Sequence, residues 1–569
     1  MKKISKVFIL LISLFIVSCH DELSKVSNTN QPTPAALQGE LGLTSFAKGG
    51  VYYNGFGGNG GGTAPAYYPT LDDGLGEGML LIVYGLHDAM GDLIFIPWGN
   101  NDFKFADNPT SFTLDDNSVV PMPIGLSQPH ELKLRNSRAY GPTNTMLLEW
   151  TYMYFMNNAC NIILANVDGT TFTGDAATKK ATLKAWAHFW KGYLYARLGN
   201  MYIAGLIVDT PGATNGNYVT NSDLLVESNK NYDAAITDLG SATDGPSYNF
   251  VMNGLIPGQC QAGKGGIPTQ AQFIRNVNTM KARTALISKR LKDMTAADWT
   301  NITTLTTAGI KATDPVFVMK TTQDINHSYV DPQFSGVGSY TSGSGGTFYL
   351  SERLVQDMDT TNDTRYQNNI NVLSSPVVNL RGRGLGFGTR FNLVDGGTSE
   401  DDGAVADGAT PWVHVSDYGV DDIYMAGSFE ENQLMLAEAK IHSGDIPGGL
   451  AIIDAVRAYQ KAGLPALNSS TINTVPLAME EIRKERRISL IFRGLGFYDA
   501  RRMGITDDVS LGGGRAKAVV LSAATDGTTI VNKNAFINYN YLPYFDVPLN
   551  ELDFNMNIGT VPVATNILK

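Results

Sequence analysis

Few residues in this sequence have the types and spacing that bond-making chemistry needs. The seven histidines, at positions 20, 87, 130, 188, 327, 414 and 442, are too scattered for a metal set or a catalytic triad. The strings GxxxxGK[ST], HExxH, GxSxG and CxxC do not occur. Gly55-x-Gly57-x-x-Gly60 matches the dinucleotide fingerprint as a string. It lies in a glycine run with no strand before it and no helix after it, so it predicts no nucleotide site. Acidic clusters at Asp72-Asp73, Asp115-Asp116, 400–402 and Asp421-Asp422 could supply the carboxylate pair of a glycosidase, although solvated loop acids are the plainer reading. No catalytic residue is assigned and no cofactor is expected. Oxygen-rich loops such as Asp401-Asp402-Gly403 could hold a structural Ca2+.

The aromatics are a better lead to a binding site. Tyr52, Tyr53, Phe56, Phe103 and Tyr349 neighbour Gly, Asn, Ser and Asp in segments that read as loops. The same holds for Trp98, Trp412, Tyr67, Tyr68, Tyr418 and Tyr340, which are the candidate ligand-binding residues. A sugar ring has an apolar C–H face that covers a flat side chain, while its hydroxyls need Asn, Asp and Arg at the rim. Each stacked face removes about 60 Å2 of apolar surface, roughly 1.5 kcal/mol. Two or three such platforms with hydrogen bonds reach millimolar to micromolar affinity.

Composition agrees with a weakly charged, loop-rich body. The 569 residues carry 43 Lys+Arg against 54 Asp+Glu, a net charge of -11, which argues against a nucleic-acid backbone as partner. Charged residues make up 17%, where about 25% is usual. Gly reaches 60, where average usage gives roughly 40. At the N-terminus Lys2, Lys3 and Lys6 precede the apolar run 7–17, too short to span a bilayer, and the pattern reads as a signal peptide over 1–18. Ile16-Val17-Ser18-Cys19 looks like a bacterial lipobox, making Cys19 the lipid anchor. Residues 19–40 then read as the lipidated Cys and a flexible tether. Cys160 and Cys260 could pair but need not, and Cys160 sits in an apolar helical run as a small hydrophobe.

Helices must position these loops. Apolar spacing predicts helices over 143–167 and 176–202, joined by a short connection that favours antiparallel neighbours. Further helices are expected over 223–239, capped by Ser222 or Asn221, and over 270–291. Ser428-x-x-Glu431 predicts a capping box with a stop at Gly444, followed by helices over 448–462 and 474–492 with Pro476 in the first turn of the latter. Helical pairs near 143–291 and 427–503 thus resemble tetratricopeptide scaffolds. Long loops are expected at 49–78, 95–125, 325–350 and 381–420.

The residues of 430–439, with Gly444 and 451–457, resemble the helix pair of the SusD/RagB family, nutrient-uptake lipoproteins of the Bacteroidetes type. Glu485-Arg-Arg487 followed by Phe497-Tyr-Asp-Ala-Arg-Arg502 resembles the family's C-terminal signature. Tyr541-Leu-Pro543, Val547-Pro548-Leu549, Glu551 and Asp363-Thr-Arg365 also fit. Ser489, Arg493 and Met503 depart from the usual Glu, Glu and Trp, which puts the wiring near Arg486 and Arg501 in doubt. The resemblance implies a mostly α, SusD-like fold over 41–569 as a single domain, with tetratricopeptide-like helix pairs and loop-rich insertions. It implies an outward-facing lipoprotein of the cell outer membrane, a lid for a SusC-like TonB-dependent transporter, and capture of oligosaccharide without catalysis. The same architecture carrying peptides is the alternative; a surface glycoside hydrolase or a purely structural surface protein lies further off. No ligand-binding residue is carried over by motif.

Overall fold

The computed structural model describes residues 37, 39–52, 83–95, 105–123, 125–320, 349–378, 388–393, 422–524, 526, 528–555 and 561–562. Helices dominate these residues. The first two are α1 (Glu40–Tyr52) and α2 (Gly85–Met90). The long helices α3 (Thr145–Asn166) and α4 (Ala176–Met201) start where Asn144 and Asp175 accept hydrogen bonds from free backbone N–H groups of the first turn. Helix α5 (Asn221–Ser241) begins two residues before the expected start. Its cap is Thr220 rather than Asn221 or Ser222, because Thr220 stands three residues before Asp223 and the two form a reciprocal capping box.

Helix α6 (Gly245–Leu255) follows, then α7 (Gln270–Ile287), closed by a Thr269/Gln272 box, and α8 (Ala296–Thr307), closed by Thr295/Asp298. The helix expected to reach 291 therefore ends at Ile287, and Leu291 falls in a 3-10 turn. In α9 (Phe429–His442) Ser428 accepts the Glu431 N–H as expected. The box is only half formed, because the Glu431 carboxylate pairs with Arg283 of α7. Gly444, at φ +92, takes the left-handed position that ends the turn. Asp445 then caps α10 (Ile446–Tyr459). Helix α11 (Val475–Ser489) has Pro476 in its first turn and stops short of 492, where Phe492 and Gly494 both take positive φ. Helix α12 (Gly496–Arg502) follows that turn.

The helices form a row: α3 packs on α4, α4 on α5, α5 on α7, α7 on α8, α8 on α9, and α9 on α10 and α11. Helix α4 is buried on nearly every side, apart from a narrow half-exposed polar stripe of Lys180, Lys184 and His188. Trp186, Phe189 and Trp190 meet Phe273 and Phe317 edge-on or tilted, with ring centroids 5.0 to 5.7 Å apart. One continuous apolar core takes in side chains from Leu43 to Val547. Cys160 and Cys260 are both buried free thiols, and burial pushes the Cys160 thiol up to about 12. Among the described residues no helix is long and apolar enough to cross a membrane.

The expected loops change in part. The stretch 49–78 does not begin as a loop: α1 runs through Gly49 and Gly50, and Tyr52 is buried, its ring stacked 6.3 Å from Trp186 at 20°. The stretch 95–125 is in part a sheet, with strands β1 (Ser111–Thr113) and β2 (Val119–Pro121). A short ribbon of β3 (Ala204–Leu206) and β4 (Tyr218–Thr220) lies beside α4 and α5. A C-terminal hairpin of β5 (Arg515–Ala523) and β6 (Thr529–Asn538) completes the first sheet in the order β5-β6-β1-β2, all antiparallel. Tyr349, assigned to a loop from sequence, lies in a two-residue strand, Tyr349–Leu350.

Candidate functional site

The C-terminal signature residues point inward. Glu485 of α11 accepts from Arg365 Nη1 at 2.6 Å and from Arg457 Nε at 2.7 Å. Arg365 also binds Asp363 at 2.8 Å and Gln460 Oε1 at 2.8 Å. Burial opposes the Glu485 charge, but Arg365 and Arg457 outweigh it and hold the carboxyl at about 2. Ser489, where a Glu would be usual, places a hydroxyl 2.7 Å from Gln460 Oε1 and beside Glu485, so no second carboxylate crowds the pair.

In α12, Arg502 makes a two-pronged pair with Glu438 at 2.6 and 2.8 Å and donates to Asp499 at 2.8 Å, while Arg486 donates to Asp499 at 2.9 Å. Arg501 donates instead to the carbonyls of Asn200 at 2.6 Å and Pro543 at 2.7 Å, tying α4 to the closing segment. Arg493 pairs with Glu430 at 3.2 Å and lies 4.0 Å over the Tyr424 ring. Beside them, buried His87 of α2 sits 3.0 Å from Glu149, which also pairs with Arg197 at 2.6 Å. Asp88 accepts the N–H groups of Phe492 at 2.8 Å and Gly496 at 3.2 Å; burial pushes its carboxyl up to about 7 against those donors. All these groups are closed off from solvent, so their perturbed carboxyls belong to a structural network that locks helices together. The Asp115-Asp116 pair is structural as well. Asp115 accepts the N–H groups of Lys533 and Asn534 at 2.8 Å, and Asp116 accepts that of Ser118 at 2.9 Å.

Cys19, Trp98, Trp412, Tyr67, Tyr68, Tyr418 and Tyr340 lie outside the described residues, as do Asp401 and Asp402. The strands that flank their segments are described. Phe95, just before the segment that carries Trp98, pairs with Tyr349, just after the segment that carries Tyr340. Lys320, just before the Tyr340 segment, pairs with Asp422, just after the segment that carries Trp412 and Tyr418. The Tyr349–Leu350 strand also packs on Thr389–Leu393, which leads into that last segment. The ends of three aromatic-bearing segments, far apart in sequence, are thus joined two by two.

A second candidate is an open cleft of about 360 Å3 between α3, the 206–214 loop and the closing segment. Its apolar part is Trp150, Tyr154 and Phe155; the Trp150 and Tyr154 rings lie 4.7 Å apart. Asn157, Asn158, Asn161, Thr214, Asn550 and Glu551 supply polar groups around them. Most of these are already committed: Asn157 and Asn161 donate to Val208 O at 2.8 Å, Asn158 accepts from the Gly212 N–H at 2.8 Å, and Glu551 accepts from Trp150 Nε1 at 3.3 Å. Behind the cleft, Lys191 is neutralised by Asp209 at 2.7 Å. Such a surface suits a neutral ligand with an apolar face. Trp150 is a core residue, as its helical spacing predicts, and Tyr154 is only partly exposed; the asparagines at 157, 158 and 161 on the same helix were the available signal for the cleft. No group of His, Cys, Asp and Glu among the described residues is arranged to hold a metal ion.

Residues 431–561 match the model of the SusD family, and that stretch contains the buried Glu485 and Arg502 networks. That C-terminal stretch is thus similar to the SusD family. No curated protein matches the sequence. Solved structures share the SusD fold over almost the whole chain. A SusD-like carbohydrate binding protein from Bacteroides fragilis aligns with a TM-score of 0.56 at 15% identity, covering 92% of this chain and 100% of its own. A SusD-like carbohydrate binding protein from Bacteroides vulgatus gives 0.53 at 16%, covering 91% and 97%. A SusD superfamily protein from Parabacteroides distasonis gives 0.52 at 13%, also covering 91% and 97%.

Proposed function

We propose that this protein is a lipid-anchored, outward-facing carbohydrate-binding member of the SusD family, acting as a lid on a SusC-like TonB-dependent transporter of the outer membrane. The observation that carries the glycan reading is the pairing of the Phe95, Tyr349, Lys320 and Asp422 ends on a SusD scaffold. It draws segments rich in flat side chains toward common origins on rigid elements. The solved relatives from B. fragilis and B. vulgatus, described as carbohydrate binding proteins, point the same way. Trp98, Trp412, Tyr67, Tyr68, Tyr418 and Tyr340 then serve as stacking platforms for an oligosaccharide. Binding needs no bond cleavage, and ligand contacts available only in the closed state would bias the lid shut.

Calorimetric titration with purified oligosaccharides tests the reading. Trp98→Ala and Trp412→Ala should each weaken binding about tenfold, the equivalent of one stacked face at roughly 1.5 kcal/mol. Phe155→Ala, in the cleft beside α3, should leave affinity within twofold. The reverse pattern would move the site to the cleft. The anchor is tested separately: Cys19→Ala should appear in the soluble fraction when no transporter is expressed, and continued membrane retention would contradict a lipid on Cys19.

A further inference from the structure

A small cavity of about 20 Å3 lies between the end of α2, helices α11 and α12, and Tyr539. It holds a single water-sized or atomic guest, since one water needs roughly 10–15 Å3 of such space. Its wall is unlike the rest of the interior. Four guanidinium groups, Arg483, Arg486, Arg487 and Arg515, face two carboxylates, Asp92 and Asp499. Both carboxylates are already engaged: Asp92 by Arg353 at 2.7 Å, and Asp499 by Arg486 at 2.9 Å and Arg502 at 2.8 Å. Asp357, outside the wall, is shared among Arg483, Arg487 and Arg515 at 2.8 to 3.2 Å. Arg487 feels the surplus of positive charge: burial, followed by the Arg515 guanidinium, pulls it down to about 10.

One donor in this wall has nothing to bind. Arg486 is buried, and its Nη1 meets no hydrogen-bond acceptor, although its Nε is held by Asp499. A buried guanidinium N–H without an acceptor is costly, so the position calls for a guest that accepts. Thr506 and Tyr539 add hydroxyls to the wall, and most of its remaining side chains are apolar. A water would bring two hydrogens as well as its lone pairs, while the unmet group here is a donor. A halide only accepts, and its charge suits surroundings where Asp357 is shared among three arginines and Asp499 between two. We propose that the cavity is a binding site for a small monovalent anion of the chloride class, held by Arg486 Nη1, which fastens α11 to α12. The site is independent of the carbohydrate reading.

Bromide soaked into crystals of the intact protein tests this directly, because its anomalous signal separates it from water. The expected result is a peak within hydrogen-bond reach of Arg486 Nη1. In solution, the thermal midpoint should be about 1–2 °C higher in sodium chloride than in sodium gluconate of equal ionic strength, with a saturating dependence. Ala500→Val, which adds volume to the cavity wall and removes no charge, should abolish that difference. A neutral water at the position with no bromide peak would overturn the proposal, as would a chloride effect that persists unchanged in Ala500→Val.

Discussion

Replacing Glu485 by alanine should destabilise the protein by about 3–5 kcal/mol, the usual cost of removing one partner from a buried ion pair. Glu485 is completely buried and answers two guanidiniums from different elements, Arg365 in the short helix Thr364–Asn369 and Arg457 on α10. Arg365 would keep Asp363 at 2.8 Å, and Arg457 would keep Glu481 at 3.1 Å, but the interior would hold one positive charge too many. Urea denaturation of the two proteins measures the difference. The same group sets an acid limit. Its folded pKa, about 2, lies below the ordinary 4.5, so its contribution is fully present above pH 4.5 and is lost as pH falls through about 2. Glu485→Gln should therefore show a shallower loss of stability than the parent between pH 4.5 and pH 2. Equal slopes would mean that Glu485 does not carry this share of the acid response.

Gly91→Ala should be strongly damaging, costing about 3 kcal/mol, toward the upper end for overpacking. A Cβ on Gly91 would lie 2.2 Å from the Gly496 carbonyl carbon and 2.5 Å from its Cα. Those are backbone atoms at the start of α12, fixed in turn by Asp88, which accepts the Gly496 N–H. Neither side can rotate away, so α2 and α12 would have to separate, and with them the signature network. Gly240→Ala is the control. It lies in the last turn of α5 with nothing within 4 Å of a new Cβ, and alanine there should be neutral or stabilising by up to about 1 kcal/mol. Thermal melts of both variants decide the point; comparable midpoints for the two would mean that α2 and α12 are not rigidly apposed.

The helical scaffold was legible because its signals are local. Ser428 caps the helix expected of it, and Asn144 and Asp175 cap helices that begin within two residues of their expected starts. The features that escaped notice depend on distant partners. The β5-β6 hairpin becomes a sheet only by adding Ser111–Thr113, more than 400 residues earlier in the chain, to its edge. Helix α1 was hidden by Gly49 and Gly50, which weaken intrinsic helix propensity by about 1 kcal/mol each. Packing against α3 and α6 overrides that weakness, and it also makes Tyr52 a core residue instead of a loop aromatic.

The candidate site divides in the same way. Composition picked out Trp98, Tyr340 and Trp412 as flat side chains in glycine-rich surroundings. It could not reveal that Phe95 pairs with Tyr349 and Lys320 with Asp422, because two- and three-residue strands have no periodicity to read. The signature residues were visible as a string, yet only their burial assigns them to the scaffold. Ser489 and Arg493 show how a departure from the usual pattern is absorbed. The first replaces a carboxylate with a hydroxyl beside Glu485, and the second finds its own counter-ion in Glu430.

The most direct test of carbohydrate binding is titration of the purified protein with a panel of neutral oligosaccharides and, in parallel, with a peptide mixture, followed by assay of reducing ends. Saturable binding of at least one oligosaccharide, with a dissociation constant between about millimolar and micromolar and no new reducing ends, is the predicted result. Saturable binding of peptides alone, or release of reducing sugar, would contradict it.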